Sequence, residues 1–198
     1  MHMKKTNYIK KALLQVTFVS SILLIVSCNN SQKPKAMNVV AEESNIEKPD
    51  DNKQGKDVAF LIKVSELNLE GIHLGQLALQ KGSVAHVKDL GKMMVDAHTK
   101  SQMDLIVLAE NKMIIIPNSP TDKTKDAYVR LNTKSGNDFD KSFADMMVSE
   151  HENAIDIFEK ASIDGVDSDI KKWTANTLPE LRKHLNHSIE CQKKCNKM

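Results

Sequence analysis

Four long stretches of the chain carry apolar residues at the three- and four-residue spacing of an amphipathic α-helix, and this pattern constrains the fold most. The stretches span residues 57–81, 83–113, 137–164 and 167–195. Aromatic residues make up only 4% of the chain, which disfavours sheets built from aromatic strands. The sequence therefore predicts an all-α fold.

Glycine, proline and capping residues set the expected ends of these helices. Gly82 follows the first stretch, where a helix C-cap favours a positive φ. Ser83 is expected to cap the second helix, and Asp167 or Ser168 the fourth. Pro179 lies inside the fourth stretch, so we expect a kink there, with a break just before it as the alternative.

The spacing between the stretches predicts how the helices connect. The turns at Gly82 and Gly165 are short, which forces antiparallel neighbours. Residues 114–137 form a long connection, whose 121–134 part has the composition of a short helix. Two hairpins joined by such a crossover have the connectivity of a ferritin-like four-helix bundle. We expect this architecture over residues 57–195, with an up-and-down topology as the alternative.

The first 28 residues have the pattern of an export signal. Four lysines precede an apolar stretch over residues 12–26, which is shorter than the roughly 20 residues of a membrane-spanning helix. The ending Ile-Val-Ser-Cys at 25–28 resembles the lipobox of bacterial lipoproteins, in which the cysteine becomes the first residue and carries acyl chains. We expect residues 1–27 to be removed and lipidated Cys28 to anchor the protein to a membrane. A plain signal anchor or a buried helix is the alternative.

Composition also bears on location and partners. Residues 28–56 contain no sustained apolar period, which is typical of a disordered tether behind the lipidated cysteine. Four of the 28 basic residues lie in the leader, so the exported chain retains 24 against 26 acidic residues. No basic face for nucleic acid is expected. The sequence predicts a domain outside the cytoplasm, in the periplasm or on the cell exterior, anchored to the inner or outer membrane.

Five motifs in chain order resemble the domain of unknown function 4142 family, over about residues 57–187. They are Leu74-Gly75-Gln76-Leu77-Ala78, Met94-Val95-Asp96-Ala97-His98-Thr99-Lys100, Phe139-Asp140, Glu150-His151-Glu152 and Leu178-Pro179-Glu180-Leu181-Arg182-Lys183-His184-Leu185. The resemblance implies an exported bacterial protein, as some members are described as outer membrane proteins, and a ferritin-like fold. It implies no established activity. Gly71 and His73 stand in a segment where members often carry an acid.

Three histidines fall near the middle of the second, third and fourth helices, where they can meet. They are His98, His151 and His184. Neutral imidazoles converging from three helices suit Zn²⁺, Cu²⁺ or iron. The alternative, which we prefer from sequence alone, is a packing role. Each ring would then bond a carboxylate such as Asp96 or Glu150, or a carbonyl freed by Pro179.

The di-iron carboxylate design requires a Glu-x-x-His motif on each of two helices. Only residues 70–73, Glu-Gly-Ile-His, have that spacing. Glu70 and His73 share a helix face with Lys63 and Glu66, and we expect this polar face to point to solvent. Ferroxidase chemistry is therefore not expected.

The C-terminal end carries a second set of metal-ligating residues. His187, Cys191 and Cys195 repeat every four residues and form one stripe on a helix. An imidazole with two thiolates suits Cu(I) or Zn²⁺. In an oxidising compartment the two thiols can instead form a disulfide, or they can remain free.

This sequence lacks the motifs of several classes of enzyme. There is no Gly-x-Ser-x-Gly elbow, no phosphate-binding glycine loop and no His-Glu-x-x-His. We expect a non-catalytic envelope lipoprotein, with a metal-binding or metal-storage protein as the alternative. A hydrolytic or redox enzyme ranks third.

Overall fold

The computed structural model describes residues 54–165 and 167–198, and this part of the chain is helical with no strand. Its five helices are α1 (Gln54–Lys81), α2 (Ala85–Asn111), α3 (Asp122–Asn132), α4 (Gly136–Asp164) and α5 (Ser168–Cys195). The all-α prediction is confirmed. None of these helices combines the length and apolar character needed to cross a bilayer. The predictions for the leader, Cys28 and most of the tether fall on residues 1–53, outside the described residues.

The first helix ends at Lys81 as predicted, but the capping of the first turn differs from the predictions. The described residues with positive φ are Met113 and Gly136, so the prediction for Gly82 is wrong. Ser83 does not cap α2, which begins at Ala85 after Val84. The N–H and hydroxyl of Ser83 instead donate to the Asp140 carboxylate of α4. A long-range bond to another hairpin therefore replaces the expected local cap.

The predicted ends of the last two helices are confirmed. α4 ends at Asp164, just before Gly165. The Asp167 side chain caps α5 by accepting hydrogen bonds from the backbone N–H groups of Asp169 and Ile170. α5 continues through Pro179 without interruption, so the alternative of a break is wrong.

The four long helices pack as two hairpins. α1 packs most extensively on α2, and α4 on α5, while α1 also contacts α4 and α2 contacts α5. Ser83, in the turn between α1 and α2, bonds Asp140 near the start of α4. At the opposite end, Lys112, just after α2, pairs with Asp167 in the turn between α4 and α5. Neighbouring long helices are therefore antiparallel, and residues 112–135, which include α3, carry the chain from one end to the other.

The core consists of two apolar clusters with a polar layer between them. One cluster contains Phe139 and Phe143, and the other contains Phe60 and Phe158. The helix positions between the two clusters carry buried polar side chains instead of apolar ones. These are Asn68, His98, Gln102, His151 and His184. This polar layer thus interrupts the apolar stripes of α2, α4 and α5 near mid-height.

The bond between Ser83 and Asp140 predicts a stability effect. Asp140 is fully buried, and its carboxylate accepts two hydrogen bonds from Ser83, which join the two hairpins. Hydrogen bonds to a charged acceptor contribute about 1.5 to 3 kcal/mol, so Asp140→Ala should lower the free energy of unfolding by about 2 kcal/mol. The exposed Asp156 on the same helix is the control, and Asp156→Ala should change it by less than about 0.5 kcal/mol. Equal effects of the two substitutions in urea unfolding would contradict this role.

Candidate metal centre

His98 of α2, His151 of α4 and His184 of α5 meet in the polar layer. One ring nitrogen of each lies within 4.8 Å of one ring nitrogen of each of the other two. The ring centroids are 5.6 to 6.1 Å apart, and all three side chains are buried. Mid-helix positions on three neighbouring helices thus come to one height, as the sequence pattern indicates.

A chain of hydrogen bonds orients the His98 ring. The Ser65 hydroxyl donates to the Pro117 carbonyl at 2.6 Å, and the Gln102 amide nitrogen donates to the Ser65 hydroxyl at 2.8 Å. The Asn68 amide nitrogen donates to the Gln102 amide oxygen at 3.3 Å. The Asn68 amide oxygen then faces His98 Nδ1 at 3.1 Å. All four side chains are buried.

This chain fixes the tautomer of His98. The Pro117 carbonyl can only accept, so each following group has one available orientation. The Asn68 oxygen is therefore the atom turned to the ring, and His98 Nδ1 must carry the hydrogen. The Nε2 lone pair of His98 remains free for a ligand.

The other two rings carry nitrogens without partners. His151 Nδ1 lies 2.7 Å from the Met147 carbonyl oxygen, to which it donates, so His151 Nε2 holds a lone pair. Among the described residues, three buried side-chain atoms have no hydrogen-bond partner, which are His151 Nε2, His184 Nδ1 and Glu150 Oε2. A buried polar atom left unpaired costs roughly 1 to 3 kcal/mol. Two such atoms at one point indicate a place for a bound ion.

Burial keeps the three rings neutral. Burial lowers the pKa of His98 to about 3, and repulsion from His151 and His184 acts in the same direction. Burial, with repulsion from His151, lowers the pKa of His184 to about 4. Burial also lowers the pKa of His151, against a smaller opposing effect of its bond to Met147. Neutral imidazole is the form that binds metal, so no proton has to leave at neutral pH.

Gly71 of α1 makes room for the His98 ring. A Cβ at this position would lie 2.7 Å from His98 Cγ and 2.8 Å from Nε2, which is closer than atoms pack. α1 therefore contributes the Asn68 side chain to the site and, at residue 71, backbone without a side chain. A side chain at residue 71 would therefore displace the His98 ring.

The position of Glu70 differs from the prediction made from the sequence. We expected it to face solvent, but its side chain is buried because α3 crosses over α1. Lys123 of α3 places Nζ 3.8 Å from Glu70 Oε2 and 3.7 Å from Glu150 Oε1. Burial raises the pKa of Glu70, as does the neighbouring Glu150 carboxylate, while Lys123 opposes them. Glu70 and Glu150 border a cavity of about 20 Å³ with two of the site histidines, but neither belongs to the three-ligand group.

The residues present do not fit a di-iron carboxylate centre. His73, the partner of Glu70 in the only Glu-x-x-His motif, is not among the converging ligands. The group at mid-height offers three imidazoles and no carboxylate. Asp96, a proposed partner for a packing histidine, is exposed and pairs with Lys92 instead.

A larger cavity of about 550 Å³ reaches the site from the other side. It is bordered by His98 and His184 and by the apolar side chains of Phe158, Trp173 and Leu181. Solvent-sized molecules and ions therefore have a route to His98 and His184 through a cavity that charged side chains such as Lys100 and Glu180 also border.

In the structure, the histidine beside the two C-terminal cysteines is not the one that the sequence predicted. Cys191 and Cys195 are free and buried, and the histidine beside them is His86 of α2. His86 Nε2 lies 3.5 Å from Cys195 Sγ. His187 is exposed, although it borders the same cleft. The stripe on one helix predicted His187, whereas His86 becomes visible only when the start of α2 is placed beside the end of α5.

The model of the family described as Domain of unknown function (DUF4142) matches residues 42–190. The chain belongs to this family. The match includes all of α1 to α4 and α5 as far as Glu190, and it confirms the family resemblance seen in the sequence motifs. Comparison with curated proteins and with solved structures finds no match.

The contact between Gly71 and His98 predicts the effect of a single methyl group. Ala gains about 1 kcal/mol over Gly in a helix interior, but overpacking costs typically 1 to 3 kcal/mol. Gly71→Ala should therefore lower stability or leave it unchanged, whereas Gly55→Ala, which meets nothing within 4 Å in the same helix, should raise it. Equal stabilisation by both substitutions in denaturant unfolding would show that His98 does not need this space.

Proposed function

We propose that this protein is a membrane-anchored envelope lipoprotein whose helical domain binds one transition-metal ion between His98, His151 and His184. The observation that carries the proposal is the convergence of three buried, neutral rings, two of which hold a nitrogen without a partner. A packing role would pair those nitrogens with polar groups. A metal ion satisfies them all at once.

The ferritin-like four-helix bundle is part of this proposal. Its support is the order of contacts: each long helix packs on two others, and α2 and α4, which a long crossover joins, have few contacts with each other. In an up-and-down bundle these two helices would be adjacent. The crossover also supplies the Pro117 carbonyl that orients the ligand His98 through its hydrogen-bond chain.

The ligand set favours Zn²⁺ or Cu²⁺. Three imidazoles are borderline ligands that suit both ions, and a set of three protein ligands leaves one coordination position open. Metal–nitrogen bonds of about 2.0 Å at tetrahedral angles place ligand nitrogens about 3.3 Å apart. The rings, now within 4.8 Å, would therefore close by at most about 1.5 Å on binding.

The anchor and the location rest on the sequence of residues 1–28. A lipidated Cys28 and a tether of about 30 Å would hold the domain clear of the membrane surface, outside the cytoplasm. We propose metal binding without turnover, because the sequence lacks the hydrolytic and phosphate-binding motifs named above.

Metal retention tests the proposal in the full chain purified in detergent. Cys191→Ser and Cys195→Ser are introduced first, so that thiol binding does not contribute. This protein should retain about one Zn²⁺ per chain after dialysis, and His98→Ala with His151→Ala should abolish the retention. His187→Ala, at an exposed position, is the control and should retain the ion.

A milder variant keeps the test valid if the double substitution unfolds the protein. Asn68→Ala removes the group that orients His98 and leaves all three ligands, so Zn²⁺ affinity should fall about 10- to 100-fold. Asn153→Ala, at an exposed position on α4, should leave the affinity unchanged. Absence of Zn²⁺ and Cu²⁺ retention, or equal retention with and without the histidines, would overturn the proposal.

A further inference from the structure

A second cluster of soft ligands lies at the end of the domain where α2 begins and α5 ends. Cys191 and Cys195 are one helical turn apart on α5, so both sulfur atoms face the start of α2. His86 Nε2, Cys191 Sγ and Cys195 Sγ all lie within 4.8 Å of one another. The side chains come from two helices of different hairpins, which the fold brings together.

One distance in this cluster already matches a metal site. With metal–nitrogen and metal–sulfur bonds of about 2.0 and 2.3 Å, tetrahedral to trigonal angles place the two ligand atoms about 3.5 to 3.7 Å apart. The distance from His86 Nε2 to Cys195 Sγ is 3.5 Å. This pair therefore needs little movement to bind an ion.

From this geometry we propose that His86, Cys191 and Cys195 form a second metal site that selects Cu(I). Two sulfurs and one imidazole are a softer set than the three imidazoles of the polar layer, and soft sulfur ligands select Cu(I). Met93 borders the same cleft as His86 and Cys191, so a thioether is available beside the site. Its ligands also differ in kind from the three imidazoles of the polar layer.

Both thiols of this cluster are buried. Cys191 is 4% exposed and Cys195 1%. Burial raises the pKa of Cys191 to about 12 and also raises that of Cys195, so both remain protonated thiols in the absence of a metal. An incoming ion has to displace these protons. Binding would release up to two protons to solvent as two metal–sulfur bonds form.

The same cysteines are poorly placed for a disulfide. Residues four apart on a regular helix have β-carbons about 5 to 6 Å apart, whereas a disulfide joins β-carbons about 3.5 to 4.5 Å apart. α5 is continuous to Cys195, so a bridge would require its last turn to unwind. Both cysteines also belong to the apolar cluster around Phe139 and Phe143, which that unwinding would disrupt.

Competition for Cu(I) against a chromophoric Cu(I) chelator tests the second site. The full chain in detergent, kept anaerobic with a reductant, carries His98→Ala and His151→Ala so that the first site is silent. We expect about one Cu(I) per chain, lost with Cys191→Ser and Cys195→Ser. His86→Asn should weaken binding at least tenfold.

His187→Asn separates the structural assignment from the sequence stripe. It alters an exposed histidine on the same cleft and should leave Cu(I) affinity unchanged. Loss of binding with His187→Asn but not with His86→Asn would overturn the assignment of His86. Failure to compete for Cu(I), or displacement of Cu(I) by an equal concentration of Zn²⁺, would overturn the site itself.

Should His98→Ala with His151→Ala unfold the chain, the same titration is run with Zn²⁺ saturating the first site in the otherwise unchanged protein. The two sites are thus tested separately. Zn²⁺ retention is measured without Cys191 and Cys195, and Cu(I) uptake is measured with the three-histidine site either removed or already filled by Zn²⁺. Either proposal can fail while the other holds.

Discussion

The structure depends on a single constraint. The polar groups buried between the two apolar clusters have to find their hydrogen-bond partners among other groups of the protein. The chain from Pro117 through Ser65, Gln102 and Asn68 meets this requirement on one side and ends at His98. Because Pro117 lies in the crossover segment, the path of that segment and the orientation of one metal-ligand candidate are set together. The unpaired nitrogens on the other side, those of His151 and His184, mark the point at which the protein's own groups no longer suffice.

The two candidate sites show how one helical framework separates metal chemistry. At mid-height, burial and mutual repulsion keep three imidazoles neutral and ready to bind borderline divalent ions. At the end of the domain, burial keeps two thiols protonated until a metal displaces their protons. The loss of water around a titratable group thus disfavours the charged form at both sites. The proposed membrane anchor would hold both sites outside the cytoplasm.

The sequence predicted the helices well because their apolar spacing and the turn at Gly165 are local signals. It also placed His98, His151 and His184 at one height, since mid-helix positions of neighbouring helices coincide. It was wrong for Ser83 and Glu70, whose surroundings come from other elements: Asp140 of α4 and the crossing helix α3. His86 was missed for the same reason, and Asn68 and Gln102 carried no motif. Contacts between distant segments are not encoded in the periodicity of either segment.

Nitrogen-15 NMR of the imidazole rings at pH 5, in the metal-free full chain, tests the central claim most directly. A histidine in water has a pKa near 6.5 and is charged at this pH. Burial lowers the pKa of His98 to about 3, so its ring should be neutral there, with the hydrogen on Nδ1 and a lone pair on Nε2. A charged His98 ring, or a neutral His98 ring with the hydrogen on Nε2, would contradict the account, because no inward lone pair would then be available to an ion.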